Sequence, residues 1–154
     1  MIVREHPKVS VLMSVYNGKC YLHEAIQSIL HQTWQDYEFL IINDGSTDDS
    51  REIILSFNDP RIRLVDNLTN IGLTKSLNRG LELANGVLIA RQDADDISYP
   101  SRLEKQVQFF DTHPNVALLG TQARIIDQQG DFIRLTNHPL TDTLIKWHLM
   151  FNNA

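Results

Sequence analysis

Lys8-Val9-Ser10-Val11-Leu12-Met13-Ser14-Val15-Tyr16 is the stretch that decides the fold class. It is β-branched and nearly apolar throughout, as expected of a strand covered on both faces. Asn17-Gly18-Lys19 then turns the chain, and Leu22, Ala25, Ile26, Ile29 and Leu30 recur at helical spacing. The pattern repeats outward from there. Tyr37 to Ile42 reads as a second buried strand, and Asp44-Gly45-Ser46-Thr47 as a turn. Thr47 or Asp48 is placed to cap a helix with Ile53, Ile54 and Phe57 on its apolar side. Arg61 to Val65 forms a third strand. Gly72 to Ala84 forms a third helix with Leu73, Leu77, Leu81 and Ala84 in register, ended by Asn85-Gly86 through a left-handed glycine. Val87 to Ala90 is a fourth buried strand, and Pro100 opens a fourth helix with Leu103, Val107 and Phe110 on its buried side.

Beyond this, Val116 to Leu119 and Arg124 to Ile126 read as short strands. Gln128-Gln129-Gly130-Asp131 reads as a hairpin turn into Phe132 to Leu135, and a final helical stretch runs from Asp142 to Met150. Strand–helix alternation with short connections implies right-handed βαβ units, hence an α/β fold built on a mainly parallel sheet. The 154 residues suit a single domain, with no internal repeat, low-complexity tract or linker.

Composition narrows the function classes. A net charge of -5 lacks the basic surplus of a phosphate-gripping nucleic-acid binder, so no nucleic-acid partner is expected. Cys20 is the single cysteine, which rules out an internal disulfide and a Cys-based zinc site. The first residues lack the apolar core of a signal peptide, and no apolar run approaches the ~18–20 residues that span a bilayer. A cytoplasmic location is expected, with membrane association left to sequence outside this chain.

Parallel sheets bind ligands at the carboxyl ends of their strands. Polar residues gather there after strand one (Tyr16, Asn17), strand two (Asn43, Asp44) and strand four (Asp93, Asp95, Asp96). The run Asp93-Ala94-Asp95-Asp96 sets carboxylates close enough to repel, and a divalent cation such as Mg2+ or Mn2+ relieves that repulsion while keeping positions for substrate phosphates. A solvated acidic turn is the ordinary alternative; the position at the ligand end of a buried strand favours the metal. Asp44 is a second candidate, with turn stabilisation as its plainer role. Within Ser14-Val15-Tyr16-Asn17, Tyr16 either offers a flat face to a base or packs in the core. Lys75, early in a helix, either reaches a diphosphate or is a surface lysine. No G-x-G-x-x-G follows strand one, and no P-loop or G-x-S-x-G elbow is present.

Taken together, Val9 to Asn17 (VSVLMSVYN), Ile41 to Ser50 (INDGSTDDS after Ile41), Asn70 to Asn78 (NIGLTKSLN), Ala84 to Gly86 (ANG) and Asp93 to Asp96 (DADD) resemble the family 2 glycosyltransferases, in the family's order over about residues 8 to 120. The resemblance implies the GT-A fold, with this chain as the nucleotide-sugar-binding part and the acceptor-binding half absent. It implies inverting transfer of a sugar, from a UDP-sugar by preference, to the hydroxyl of a glycan, lipid-linked or other acceptor, as in cell-surface polysaccharide synthesis. Tyr16 would then lie near the base, with Ser14 and Asn17 beside it, and Asp44 would hydrogen-bond it. Asn70, Gly72 and Lys75 would lie by the base or diphosphate, and Asp93 and Ala94 by the ribose. Asp95, with Asp93, would hold the Mn2+ or Mg2+. Arg91 would be a structural neighbour. The family's carboxylate base has no match here, and an apolar patch is expected near Trp147, Met150 and Phe151. A dehalogenase-type phosphatase carries its D-x-D on the first strand instead. A nucleotidyltransferase would need a longer glycine-rich loop after strand one, and stands with a non-catalytic nucleotide-sugar-binding module as the alternative.

Overall fold

In the computed structural model of the protein, residues 6–143 and 145 are described. Their contacts divide the chain into two compact units, 1–112 and 113–154. The first unit runs β1 (Val9–Val15), α1 (Leu22–Leu30), β2 (Tyr37–Asn43), α2 (Ser50–Ser56), β3 (Ile62–Asp66), α3 (Leu73–Leu83), β4 (Leu88–Asp93) and α4 (Arg102–Thr112). Its four strands are all parallel in the order β3-β2-β1-β4. Successive βαβ units step outward from β1 to β3, and the chain then crosses back to lay β4 on the other side of β1. Strand order therefore reverses between β1 and β4, where a parallel sheet opens a crevice at its carboxyl edge.

Alternation along β1 splits its side chains between two layers. Val9, Val11, Met13 and Val15 pack with Leu22, Ile26 and Ile29 of α1, Ile54 of α2, and Leu103 and Val107 of α4. Leu12 points the other way, into Leu40 and Ile42 of β2 and the partly buried Leu77 and Leu83 of α3. Burial on both faces is why β1 and β2 read as unbroken apolar runs rather than as alternating strands.

Several local expectations shift. Helix α3 buries Ser76 and Gly80, with Leu77, Leu83 and Ala84 half-buried, while Leu73 and Leu81 are 53% and 49% exposed. The stripe is displaced because Gly80 lets α3 close onto the sheet: a Cβ there would lie 2.2 Å from Leu12 Cδ1. Gly86 is needed for close approach and not for a left-handed helix end. A Cβ on it would come within 2.2 Å of the Ser10 nitrogen, and its own N–H donates to Ser10 Oγ at 2.7 Å. Helix α4 starts at Arg102, two residues after Pro100, whose carbonyl instead accepts the Thr33 N–H at 2.8 Å. In α2, neither Thr47 nor Asp48 occupies the cap position. Asp48 nevertheless accepts the Ser50 N–H at 3.0 Å from one residue further out.

In the second unit, β5 (Arg124–Ile126) and β6 (Phe132–Leu135) form the expected antiparallel hairpin around Gly130, which takes φ 86°. Residues 116–119 form no strand, having no paired partner among the described residues. Of the expected last helix, residues 142, 143 and 145 are helical, the Ile145 N–H donating to the Thr141 carbonyl at 2.9 Å, and 144 and 146–150, with Trp147 and Met150, lie outside the described residues, as does Phe151. Among the described residues no helix is long and apolar enough to cross a membrane.

Candidate nucleotide-sugar site

The crevice at the β1/β4 reversal is a cleft of about 470 Å³. Ser14 and Asp93 lie directly opposite each other in the β1–β4 register, so the two strands deliver one side chain each to the same edge. Ser14, Tyr16 and Asn17 line one wall, and Asp93, Ala94 and Asp95 the other. Tyr16 is 50% exposed, which decides for a ring offered to the cleft over core packing. Six lining residues were not among the expected site residues: Val15, Gly18, Cys20, Tyr21, Leu73 and Arg91. Leu73 and Tyr21 had a usable signal, since each is a large apolar residue at the first turn of a helix that begins on the ligand side of the sheet.

Asn17 takes φ 52°, and its side chain is committed to the neighbouring turn. Its Oδ1 accepts the Thr47 N–H at 2.8 Å, while its own N–H donates to Ser46 Oγ at 3.1 Å. The turns after β1 and β2 are thus locked together, which sets the angle at which Tyr16 leaves the sheet.

Asp44 follows β2 and is almost fully buried. Its Oδ1 accepts Asn67 Nδ2 at 2.7 Å and the Ile71 N–H at 3.0 Å, and its Oδ2 accepts the Gly72 N–H at 2.9 Å. Burial pushes this carboxyl up, but hydrogen bonds from Ile71, Asn67, Ser76 and Gly72 outweigh it and hold Asp44 below the usual value of 3.8. Gly45 takes φ +69°, and a Cβ there would come within 2.5 Å of the Thr69 backbone. Asp44 and Gly45 therefore clamp the loop that carries Asn70 and Gly72. Asp44, Asn70, Gly72 and Lys75 are not among the residues that line the cleft.

The acidic side is built differently. Asp93 is the last residue of β4, and Arg91, two residues earlier on the same strand face, grips it: Nε to Oδ1 at 2.9 Å and Nη2 to Oδ2 at 3.0 Å. Asp95 is exposed. Burial raises the Asp96 carboxyl, and the charges of Asp93 and Asp95 raise it further, against the pull of Arg102 and Arg91. Negative charge is thus in excess at this turn. Among the described residues no group of three or more His, Cys, Asp or Glu side chains is gathered to hold a metal. Two carboxylates on an open cleft do suit a hard cation that takes its remaining ligands from substrate phosphates and water.

A family profile, Glycosyl transferase family 2, matches residues 10–153. The chain belongs to this family. Relatives include the putative glycosyltransferase EpsE of Bacillus subtilis, 43% identical over 127 residues that make up 80% of this chain and 46% of that one. An uncharacterized glycosyltransferase of Haemophilus influenzae is 40% identical over 78% of this chain and 38% of its own. Among solved structures, S. aureus TarS in complex with UDP-GlcNAc matches with a TM-score of 0.67 and 28% identity, over 70% of this chain and 32% of that one. Mannosyltransferase PcManGT from Pyrobaculum calidifontis, in complex with GDP-Man and Mn2+, matches with a TM-score of 0.62 and 25% identity, over 68% and 32%. The chain thus spans less than half the length of these relatives. The mainly parallel sheet flanked by helices is the GT-A arrangement expected of the family.

Proposed function

We propose that this chain is the donor-binding part of an inverting glycosyltransferase that takes its sugar from a nucleoside diphosphate sugar, UDP-linked by preference. The observation that carries the reading is the convergence of Tyr16 and Ser14 on one wall and Asp93 and Asp95 on the other, at the one crevice where strand order reverses. In this reading the half-exposed Tyr16 ring stacks against the base, with Asn17 holding its turn. Asp44 serves the base side by fixing the loop through Asn70 and Gly72, and Lys75 adds positive charge near the diphosphate. Asp93 and Ala94 border the ribose, and Asp95, with Asp93, holds a Mn2+ or Mg2+ ion. That cation supplies charge neutralisation on the leaving diphosphate.

The reaction exchanges one bond for another. An acceptor hydroxyl oxygen attacks the anomeric carbon from the face opposite the diphosphate. The carbon–oxygen bond to the β-phosphate breaks with its electron pair on the departing nucleotide, and a carboxylate base takes the acceptor proton. The base and the acceptor, a glycan or lipid-linked hydroxyl, belong to sequence beyond this donor part, as the share of the relatives' length allows. The test is binding of UDP-, GDP- and dTDP-sugars with and without Mn2+, followed by product analysis in the longer protein. Metal-assisted binding of one nucleotide class and release of nucleoside diphosphate are expected. Release of pyrophosphate would identify nucleotidyl transfer instead.

A further inference from the structure

Gln92 precedes the acidic turn and faces away from the cleft, since neighbouring strand residues alternate sides. It is 2% exposed, yet every hydrogen-bonding capacity of its amide is used. Nε2 donates to the Asp93 carbonyl at 3.1 Å and to the Asp96 carbonyl at 2.7 Å, the two ends of the turn that carries Asp95. Oε1 accepts Ser98 Oγ at 2.7 Å and Arg102 Nη1 at 2.7 Å. Arg102, at the start of α4, also donates to Ser98 Oγ at 2.8 Å and to the Arg91 carbonyl at 2.6 Å. Ser98 in turn takes its place from α1, where Ser28 Oγ accepts its N–H at 3.0 Å.

A buried amide and guanidinium are costly in a core where a leucine would pack for less, unless every polar atom is matched. Here three of the bonds end on backbone carbonyls within residues 91–96, at Arg91, Asp93 and Asp96, and the others tie Gln92, Ser98 and Arg102 to one another. The guanidinium charge also attracts the Asp96 and Asp93 carboxylates. We propose that Gln92 and Arg102 are positioning residues that hold the Asp93–Asp96 turn in the shape from which Asp93 and Asp95 bind a divalent cation. The role rests on the donor-site reading above.

The experiment is a Mn2+ titration followed by electron paramagnetic resonance, with UDP present, on the parent protein and on Gln92→Met, Arg102→Met, Arg102→Lys, Ser98→Ala and Asp95→Asn. UDP affinity without metal is measured alongside. Gln92→Met and Arg102→Met are expected to weaken Mn2+ binding about 10- to 100-fold, as loss of the partners that orient metal ligands does. Metal-free UDP affinity should stay unchanged. Arg102→Lys keeps the charge without the fork and should fall between these and the parent. Ser98→Ala, the mildest change and the safeguard should the others not fold, should cost about fivefold. Parent-like Mn2+ binding in Gln92→Met and Arg102→Met, with Asp95→Asn impaired, would overturn the positioning role and leave the site reading intact. Equal loss of metal-free UDP affinity would overturn it too, marking general damage to the fold. Parent and Asp95→Asn binding Mn2+ alike would overturn the site reading and the positioning role together.

Discussion

The acidic residues at the ends of β2 and β4 are treated in opposite ways. At the end of β2, Asp44 is 2% exposed, and both of its oxygens accept hydrogen bonds from the 67–72 loop. At the end of β4, Asp95 is exposed, and the Asp93 oxygens accept from Arg91, whose side chain also lines the cleft. A carboxylate whose lone pairs are filled by its own protein spends its charge on structure. One whose lone pairs face a cleft keeps its charge for a ligand. The same residue type at the same kind of position thus does two jobs, and the surrounding donors decide which.

The sharpest way to break this contrast is to remove each carboxylate and measure unfolding in urea. Asp44→Ala leaves Asn67 and the Ile71 and Gly72 N–H groups without their acceptor, and a loss of about 3 kcal/mol is expected. Asp95→Asn should stay within about 0.5 kcal/mol of the parent. Similar losses for both would show that the two ends do not differ in kind. Nucleotide binding should show the reverse order. Asp95→Asn is expected to reduce Mn2+-dependent UDP affinity by more than about tenfold, since the proposed ligand of the cation is lost. A calorimetric titration giving the parent's affinity would remove Asp95 from the metal site.

Acid sharpens the Asp44 side further. Its folded-state pKa lies below the ordinary value of 3.8, so its contribution is fully present above that value. It is lost as pH falls through the lower, folded value. The stability gap between parent and Asp44→Asn should therefore hold from neutral pH down to about 4 and shrink below it. A gap that stays constant into strong acid would mean that the carboxylate charge plays no part. The smallest effect belongs to Asp96, whose carboxyl is raised by burial and by Asp93 and Asp95. Its charged form opposes folding at neutral pH, and that opposition fades as pH falls through the folded value and is gone below the ordinary value of 3.8. Asp96→Asn should stabilise the protein at neutral pH by no more than about 0.5 kcal/mol, given how exposed the group is. A clear destabilisation would show that attraction to Arg102 outweighs the repulsion.

Much of the cleft was legible from local pattern. Tyr16 and Asp93 to Asp95 sit where a strand-end rule puts them, because β1 and β4 are the strands flanking the reversal. Asn70, Gly72 and Lys75 were grouped with them from their sequence block, and they are not among the residues that line the cleft. Leu73 and Leu81 misled for a related reason: a helical stripe of leucines marks an apolar face, but Gly80 moved the buried face around the helix. Gln92 was passed over entirely, since a single polar residue in a strand carries no periodic signal.

Apolar periodicity, turn residues and the acidic run determined the βαβ alternation, the parallel sheet, the hairpin at 124–135 and the strand ends worth inspecting. These are properties of neighbours in the chain, and the chain order itself carries them. The tertiary structure alone decided which carboxylate is closed and which is open. The donors that fill Asp44 come from more than twenty residues away, at Asn67, Ile71 and Gly72. Gln92 likewise meets Arg102 only once α4 has folded back against β4. A hydrogen bond needs its partners within about 3 Å, and no local pattern states which distant donor will arrive there.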